Sequence, residues 1–242
     1  MSVVCFIVAI SFVATLVRST FGFGESLVAV PLLALAIPID VAVPLSVLIS
    51  IVVALVVVIQ DHRAIHFASA GALIVFAALG IPFGLGLLVY VDGRIVKIGL
   101  GALIAAYSAY SLLTKHAFHL ERDDRRWLFG CGFFSGVLGG AGGLNGPPLV
   151  VYGNLRRWTP QQFRATAQAY FLPVSLLGFL GYAAKGLATR TVAHDFLLCL
   201  PAVLAAILVG RHLNRRLTGT QYYKYLFTGL IVVSAVLVAV SI

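Results

Sequence analysis

Long stretches without any charged side chain dominate this sequence and restrict what it can fold into. Most of them hold enough residues for a helix to cross about 30 Å of hydrocarbon. They are residues 41–60, 67–91, 98–114, 127–155, 165–184 and 225–242. Only 10% of the 242 residues are charged and 61% are hydrophobic, which leaves too little polar surface for a soluble globular domain. The chain is therefore predicted to be a polytopic membrane protein.

The pattern within these stretches favours helices over strands. Membrane β-strands alternate apolar and polar side chains, whereas residues 41–59 and 68–90 show no period of two. We expect an all-α fold of about eight full spans and two half-length or re-entrant pieces, in the bacterial inner membrane. A signal peptide would carry Lys or Arg before its apolar run, and residues 1–17 have none. These residues are therefore predicted to remain as a span.

The chain divides into two apolar halves around one polar stretch. Residues 114–126 carry most of the charges near the middle and form a predicted cytoplasmic linker between a first membrane repeat, 1–113, and a second, 127–242. The halves share spaced glycines and a proline that follows a glycine-rich segment. The matching residues are Gly84 with Gly210, Gly93 with Gly219, and Pro31 with Pro148.

The basic residues indicate that the two repeats are inverted. If the short apolar piece before each of the two prolines returns the chain across or partway through the membrane, twelve Lys and Arg residues fall on one side and four on the other. The richer side holds Arg63, Lys115, Arg122, Arg125, Arg126, Arg156, Arg157, Arg164, Arg211, Arg215, Arg216 and Lys224, and the poorer side holds Arg94, Lys97, Lys185 and Arg190. The positive-inside rule makes the richer side cytoplasmic. The loop near Asp40 is then external and its counterpart at 156–164 internal.

This arrangement also explains the net charge of +9. The basic residues sit at the ends of spans, where they contact lipid headgroups and set orientation. No nucleic-acid partner is implied.

Two glycine-rich breaks interrupt the apolar sequence, at residues 18–31 and 136–148. Glycine costs about 1 kcal/mol per helical position relative to alanine, so a continuous helix is disfavoured at both. An unwound turn followed by a new helix start is predicted, where free N–H groups can bind an anion. Close helix packing by small residues is the alternative.

Polar side chains beside these breaks are candidate substrate-binding residues. Arg18 and Glu25 flank the first break in apolar sequence, where ionisable groups are costly unless they face a cavity or each other. Arg18 is a candidate ligand for a carboxylate or sulfonate and Glu25 a proton-responsive group, unless both reach the external interface or pair structurally. Arg164 is either a ligand or a positive-inside anchor. The full set is Arg18, Gly22, Gly24, Glu25, Ser26, Ser46, Gly142, Gly143, Asn145, Gly146, Arg164 and Gln168.

An intramembrane enzyme is the alternative of another class, and the sequence offers it no catalytic constellation. The six histidines lie in or beside polar loops without HExxH spacing, and no serine near a break has a spaced histidine as its base. Cys5, Cys131 and Cys199 lie in apolar runs without CxxC spacing and are predicted to be core residues. We expect no cofactor and no metal.

At the two breaks the sequence resembles the sulfite exporter TauE/SafE family, also called the 4-toluene sulfonate uptake permease family. The resemblance covers nearly the whole chain and rests on residues 21–33, 135–152 and 163–166. Where many members have three glycines in the first break, this chain has Gly24, Glu25 and Ser26.

The resemblance implies a secondary transporter built from inverted repeats. It would move a small sulfur-containing anion such as sulfite, sulfoacetate or another sulfonate by alternating access. A proton or sodium ion is the expected coupling ion, and membrane lipid the expected surroundings. A passive anion channel and a carrier of a non-sulfur carboxylate remain alternatives, and no oligomeric state is indicated.

Overall fold

Nine α-helices with defined bounds make up the part of the chain that the computed structural model describes. This part comprises residues 3–33, 35–90, 120–142, 145–184, 186–217 and 219–239, together with 102, 105, 106, 108, 109 and 112. The helices are α1 Val3–Phe21, α2 Glu25–Leu33, α3 Ile39–Asp61, α4 Phe67–Tyr90, α5 Arg125–Gly142, α6 Gly146–Leu155, α7 Pro160–Ala184, α8 Arg190–Arg216 and α9 Gly219–Ala239. No strand occurs among these residues, so the all-α prediction is confirmed for them.

The helices include some of membrane length and two that are much shorter. Among the described residues, α1, α3, α4, α7 and α8 are long and apolar enough to cross a membrane. By contrast, α2 has nine residues and α6 has ten, which is about 15 Å of helix and half the hydrocarbon thickness. These two short helices begin within the two glycine-rich breaks, and new helix starts are what the sequence predicted there. Arg94, Lys97, Lys115 and Lys185, which entered the orientation count, lie outside the described residues.

The chain forms two compact units. Unit 1 consists of Met1–Ile65 and Pro160–Leu217, and unit 2 consists of His66–Thr159 and Thr218–Ile242. Each unit therefore joins helices from both halves of the sequence.

Unit 1 is held together by apolar stripes on four of its helices. Within it, α1 packs on α8, and α3 packs on both α7 and α8. The stripes repeat every three or four residues, which is the spacing of one helix face. The buried core residues are Ile7, Ile10 and Ala14 of α1, Ala29 and Leu33 of α2, Ala42, Leu45, Ile49, Val53 and Val57 of α3, and Val192, Cys199, Val203 and Ile207 of α8.

Unit 2 is organised around close packing of α4 on α5. Gly136 of α5 lies against the backbone of Ala77, which occupies the space that a Cβ atom would need. Gly132, one turn earlier, faces Phe76 at a position where a Cβ would be 2.8 Å from its side chain. Small residues let two helix backbones approach in this way. The first part of the second glycine-rich segment therefore serves helix packing, the alternative that the sequence left open.

The end of the polar linker is fixed to unit 2 through Asp123. Its carboxylate accepts hydrogen bonds from Ser69 Oγ at 2.8 Å and Tyr152 Oη at 2.7 Å, and it pairs with Arg156 Nε at 3.0 Å. Burial alone raises the pKa of this carboxyl, but the two hydrogen bonds and the charge of Arg156 outweigh burial. The pKa of Asp123 therefore lies below its usual value.

Candidate functional site

The first break is a sharp turn between α1 and α2. Gly22 and Gly24 have φ angles of +82° and +96°, a left-handed conformation that glycine adopts without the steric cost of a Cβ. Gly22 also lies close to α7, where a Cβ atom would be 3.1 Å from the Cα of Arg164. The predicted unwound turn is confirmed here, and glycine at position 22 is needed for both its conformation and its contact.

Arg18 lies at the centre of a buried polar cluster beside this turn. Its side chain is 6% exposed, and its Nη1 donates to Glu25 Oε2 at 2.8 Å and to Ser50 Oγ. Its Nε donates to Gln168 Oε1 at 2.9 Å, and the guanidinium carbon lies 5.2 Å from the ring centroid of Phe171. We call these five residues the Arg18 cluster. Arg18 and Glu25 thus form a buried ion pair and do not reach the external interface.

Four helices contribute to the Arg18 cluster. Arg18 is in the last turn of α1, Glu25 begins α2, Ser50 is in α3 and Gln168 is in α7. Gln168 Nε2 also donates to the carbonyl oxygen of Gly22 at 2.8 Å, so α7 holds both the turn and the arginine. Residues of the first and second halves of the sequence therefore meet at this site within unit 1.

Several buried polar atoms in and beside the cluster have no hydrogen-bond partner among the described residues. These are Arg18 Nη2, Glu25 Oε1 and Ser46 Oγ, which lies one turn before Ser50 on α3. Buried polar groups in folded proteins are nearly always paired. The Arg18 cluster therefore retains donor and acceptor capacity for a small polar ligand. The side chain of Ser26 lies outside what the structure describes.

The second break is shorter than the sequence predicted. Helix α5 continues through Gly139 and Gly140 to Gly142, and α6 begins at Gly146 with prolines at its first positions, where no backbone N–H is required. Asn145 accepts a hydrogen bond from Ser135 Oγ through its carbonyl oxygen at 2.6 Å. Gly143 lies outside the described residues. This break belongs to unit 2, and the anion-binding role of Gly142, Gly143, Asn145 and Gly146 stays a prediction.

Arg164 lies in the second turn of α7 and is fully buried. Its Nη1 pairs with Asp61 Oδ2 at the end of α3. The charge-free run 165–184 lies within α7, which begins at Pro160 and therefore includes Arg164. Arg164 is a buried partner of a carboxylate and not an exposed positive-inside anchor.

Three further side chains lie within 4.0 Å of the Asp61 carboxylate. Gln161 Nε2 lies 3.2 Å from Oδ1, Arg211 Nη2 lies 2.8 Å from it and Arg215 Nη2 lies 3.7 Å from it. We call Asp61, Gln161, Arg164, Arg211 and Arg215 the Asp61 cluster. The cluster joins α3, α7 and α8 within unit 1.

Sequence reasoning missed Asp61 and Ser50. Asp61 ends the charge-free run 41–60 and therefore read as a loop residue, although it follows Ser50 by three helical turns and lies on the same face of α3. Ser50 was hidden because Ser46, one turn earlier, is nearer the first break in sequence. On a helical wheel Ser46, Ser50 and Asp61 fall within about 60° of one another on α3, and this alignment of polar residues in an otherwise apolar helix is the signal that would have found both.

Comparison with known proteins adds a second line of evidence. The model of the family described as "Sulfite exporter TauE/SafE" matches residues 7–238. A protein of Cupriavidus necator named "Probable sulfite/organosulfonate exporter TauE" is 28% identical over 154 residues, which are 62% of this chain and 58% of that protein. The alignment thus spans less than two thirds of the relative's length. No solved structure matches the chain.

Proposed function

The chain belongs to the sulfite exporter TauE/SafE family, and from this premise we propose that it carries a small sulfur-containing oxyanion across the membrane. The family consists of membrane transporters, so the chain is a multi-pass inner-membrane protein and not an enzyme. Sulfite, sulfoacetate or another sulfonate is the proposed substrate. Either export or uptake is compatible with this proposal, since the gradients decide the direction of net flow.

The observation that carries the proposal is the Arg18 cluster. A sulfite or sulfonate head presents three acceptor oxygens, and a guanidinium N–H donates to such an oxygen in a charge-assisted hydrogen bond. Arg18 Nη2 and the Ser46 hydroxyl have no partner among the described residues and supply donors for these oxygens. The aromatic face of Phe171 beside the guanidinium keeps water from this side of the arginine.

Glu25 gives the site a means of coupling to protons. With Glu25 ionised, its charge cancels that of Arg18, so a third charge entering this buried site is poorly stabilised. A proton on Glu25 leaves Arg18 with a net positive charge that an anion can neutralise. We therefore propose that one proton accompanies each monoanion. A sodium site would need several convergent oxygen ligands. In the Arg18 cluster the carboxylate of Glu25 is instead paired with the positive charge of Arg18.

Matching helix pairs support two structural repeats, whose inversion we propose from the distribution of Lys and Arg. In chain order α1 corresponds to α5, α2 to α6 and α4 to α8. The pair α1 and α8 packs together in unit 1, and the corresponding pair α5 and α4 packs together in unit 2. We propose repeats at 1–113 and 127–242, with eight full spans, two half-length helices and the arginine-rich side in the cytoplasm. Rocking of one repeat against the other would expose the substrate to each side in turn.

Uptake into proteoliposomes tests the substrate and the role of Arg18 together. Wild type is compared with Arg18→Gln and Arg18→Lys for sulfite, sulfoacetate, taurine, simple carboxylates and chloride. Loss of a charged hydrogen bond at a buried site predicts a decrease in kcat/KM of about 10- to 100-fold for Arg18→Gln. Arg18→Lys retains the charge without the planar fork and should keep part of the activity. The exposed Arg216→Gln is the matched control.

Different outcomes separate the alternatives. Saturable uptake of one sulfonate or of sulfite, lost in Arg18→Gln and kept in Arg216→Gln, is the expected result. Saturable uptake of carboxylates alone would favour a carboxylate carrier, and flux without saturation or counterflow would favour an anion channel. Full sulfonate uptake by Arg18→Gln would remove the Arg18 cluster from the pathway.

A further inference from the structure

Three arginines converge on one buried carboxylate at the end of α3. Asp61 is 1% exposed, while Arg164, Arg211 and Arg215 each place a guanidinium nitrogen within 4.0 Å of its oxygens. One carboxylate balances one of these charges, and two positive charges remain in excess. The last carbonyls of α3 offset them only partly, because a helix C-terminus carries about half a negative charge.

The excess charge lies at the solvent edge of the Asp61 cluster. Arg211 and Arg215 are four residues apart on α8, where like charges face each other and repel. The side chain of Arg215 is 52% exposed and that of Arg211 is 27% exposed, so both lie at the surface of unit 1. Arg211 Nη2 is bonded to Asp61 Oδ1 and to the carbonyl oxygen of Gln60, whereas its Nε has no partner among the described residues.

We propose that Arg211 and Arg215 bind a tetrahedral oxyanion at this edge, at a site separate from the Arg18 cluster. Asp61 holds the guanidinium of Arg211 through a hydrogen bond, and Arg215 Nη2 lies 3.7 Å from the same carboxylate oxygen. The remaining N–H groups of the two arginines take the ligand. The ligand chemistry is a sulfur or phosphorus oxyanion, which a free sulfate-type anion or a phospholipid headgroup would supply. The proposal does not require the Arg18 cluster to be the transport site.

Helix α7 connects this site with the Arg18 cluster. Arg164 of the Asp61 cluster and Gln168 of the Arg18 cluster are four residues apart on α7, about 6 Å along the helix. A free oxyanion at Arg211 and Arg215 would therefore bind near the Arg18 cluster, at a site where substrate could bind before it enters the buried site. A lipid phosphate there would instead anchor α8 to the membrane surface.

Anion-dependent thermal stability of the purified full chain tests the proposal, since a ligand of the folded state raises the melting temperature. Arg18→Gln combined with Glu25→Gln is the background, so that binding at the Arg18 cluster does not contribute and no uncompensated carboxylate is left buried. Into it we introduce Arg215→Gln or, as a control with the same loss of charge, the exposed neighbour Arg216→Gln. Sulfate is titrated in neutral detergent at constant ionic strength with chloride. In a second arm, phosphatidylcholine vesicles with and without phosphatidylglycerol replace sulfate.

The expected result is saturable stabilisation of the background variant in one of the two arms. Arg215→Gln should weaken the apparent affinity by about tenfold or more, while Arg216→Gln leaves it nearly unchanged. An effect in the sulfate arm identifies a free oxyanion, and an effect confined to phosphatidylglycerol identifies a lipid headgroup. Equal behaviour of Arg215→Gln and Arg216→Gln, or no stabilisation in either arm, would overturn the proposal whatever the uptake assays show.

Discussion

At the scale of single residues, the Asp61–Arg164 pair shows how a buried charge depends on its partner. Both side chains are almost completely buried, and removing one partner of such a pair leaves an uncompensated charge that costs about 3–5 kcal/mol. Asp61→Ala is therefore expected to lower the free energy of unfolding by about this amount in an SDS titration followed by circular dichroism. The exposed Glu121→Ala is the control, and equal losses for the two variants would show that the pair is not stabilising.

Glu25 lends itself to a second test at this scale. Glu25→Gln keeps the shape of the side chain and mimics the protonated carboxyl next to Arg18. We expect this variant to exchange substrate across proteoliposomes while uptake no longer responds to an imposed pH gradient. Uptake that still follows the pH gradient in Glu25→Gln would assign proton coupling to another group.

At the scale of elements, the turn between α1 and α2 depends on glycine at position 22. Alanine there would adopt φ near +82° and bring its Cβ to 3.1 Å from Arg164 and 3.2 Å from the ring of Phe163. The conformation alone costs about 1–2 kcal/mol, and the contacts with α7 add to it. Gly22→Ala should therefore destabilise unit 1 more than Gly24→Ala, whose Cβ would meet only Val17 at 3.6 Å.

The matched control for these two variants is Gly71→Ala in α4. A Cβ at position 71 meets nothing within 4 Å, and alanine is the better helix former by up to about 1 kcal/mol. The melting temperature of Gly71→Ala should stay the same or rise. Equal melting temperatures for Gly22→Ala and Gly71→Ala would show that the turn tolerates a side chain.

At the scale of the whole molecule, cysteine labelling tests whether the repeats are inverted. Asp40, in the first turn of α3, and Arg157, shortly before α7, are both exposed. The proposed repeats give α3 and α7 corresponding positions. In a variant without Cys5, Cys131 and Cys199, an impermeant maleimide should label Asp40→Cys in intact cells and Arg157→Cys only after lysis. Labelling of both from the same side would mean parallel repeats.

Much of the architecture was predictable because it depends on local sequence. Charge-free runs of membrane length predicted the long helices, and glycines at 22 and 24 predicted the turn before α2. Arg18 and Glu25 stood out because ionisable side chains are rare in such apolar sequence. These signals act within one or two turns of chain, so no knowledge of the packing was needed.

Partnerships between distant residues were decided only by the tertiary structure. Arg18 is 150 residues from Gln168, and Arg164 is 103 residues from Asp61, and no local pattern says which of many polar side chains will face each other. The same holds for Gly136. Its contact with the backbone of Ala77 shows that it serves helix packing, although the glycine-rich segment around it suggests a break. The length of apolar runs and the weak helix propensity of glycine are local properties, and they predicted a helical membrane protein with two breaks. The packing of α7 against α1 and α3 decided which charges are paired, because burial and geometry depend on the whole fold.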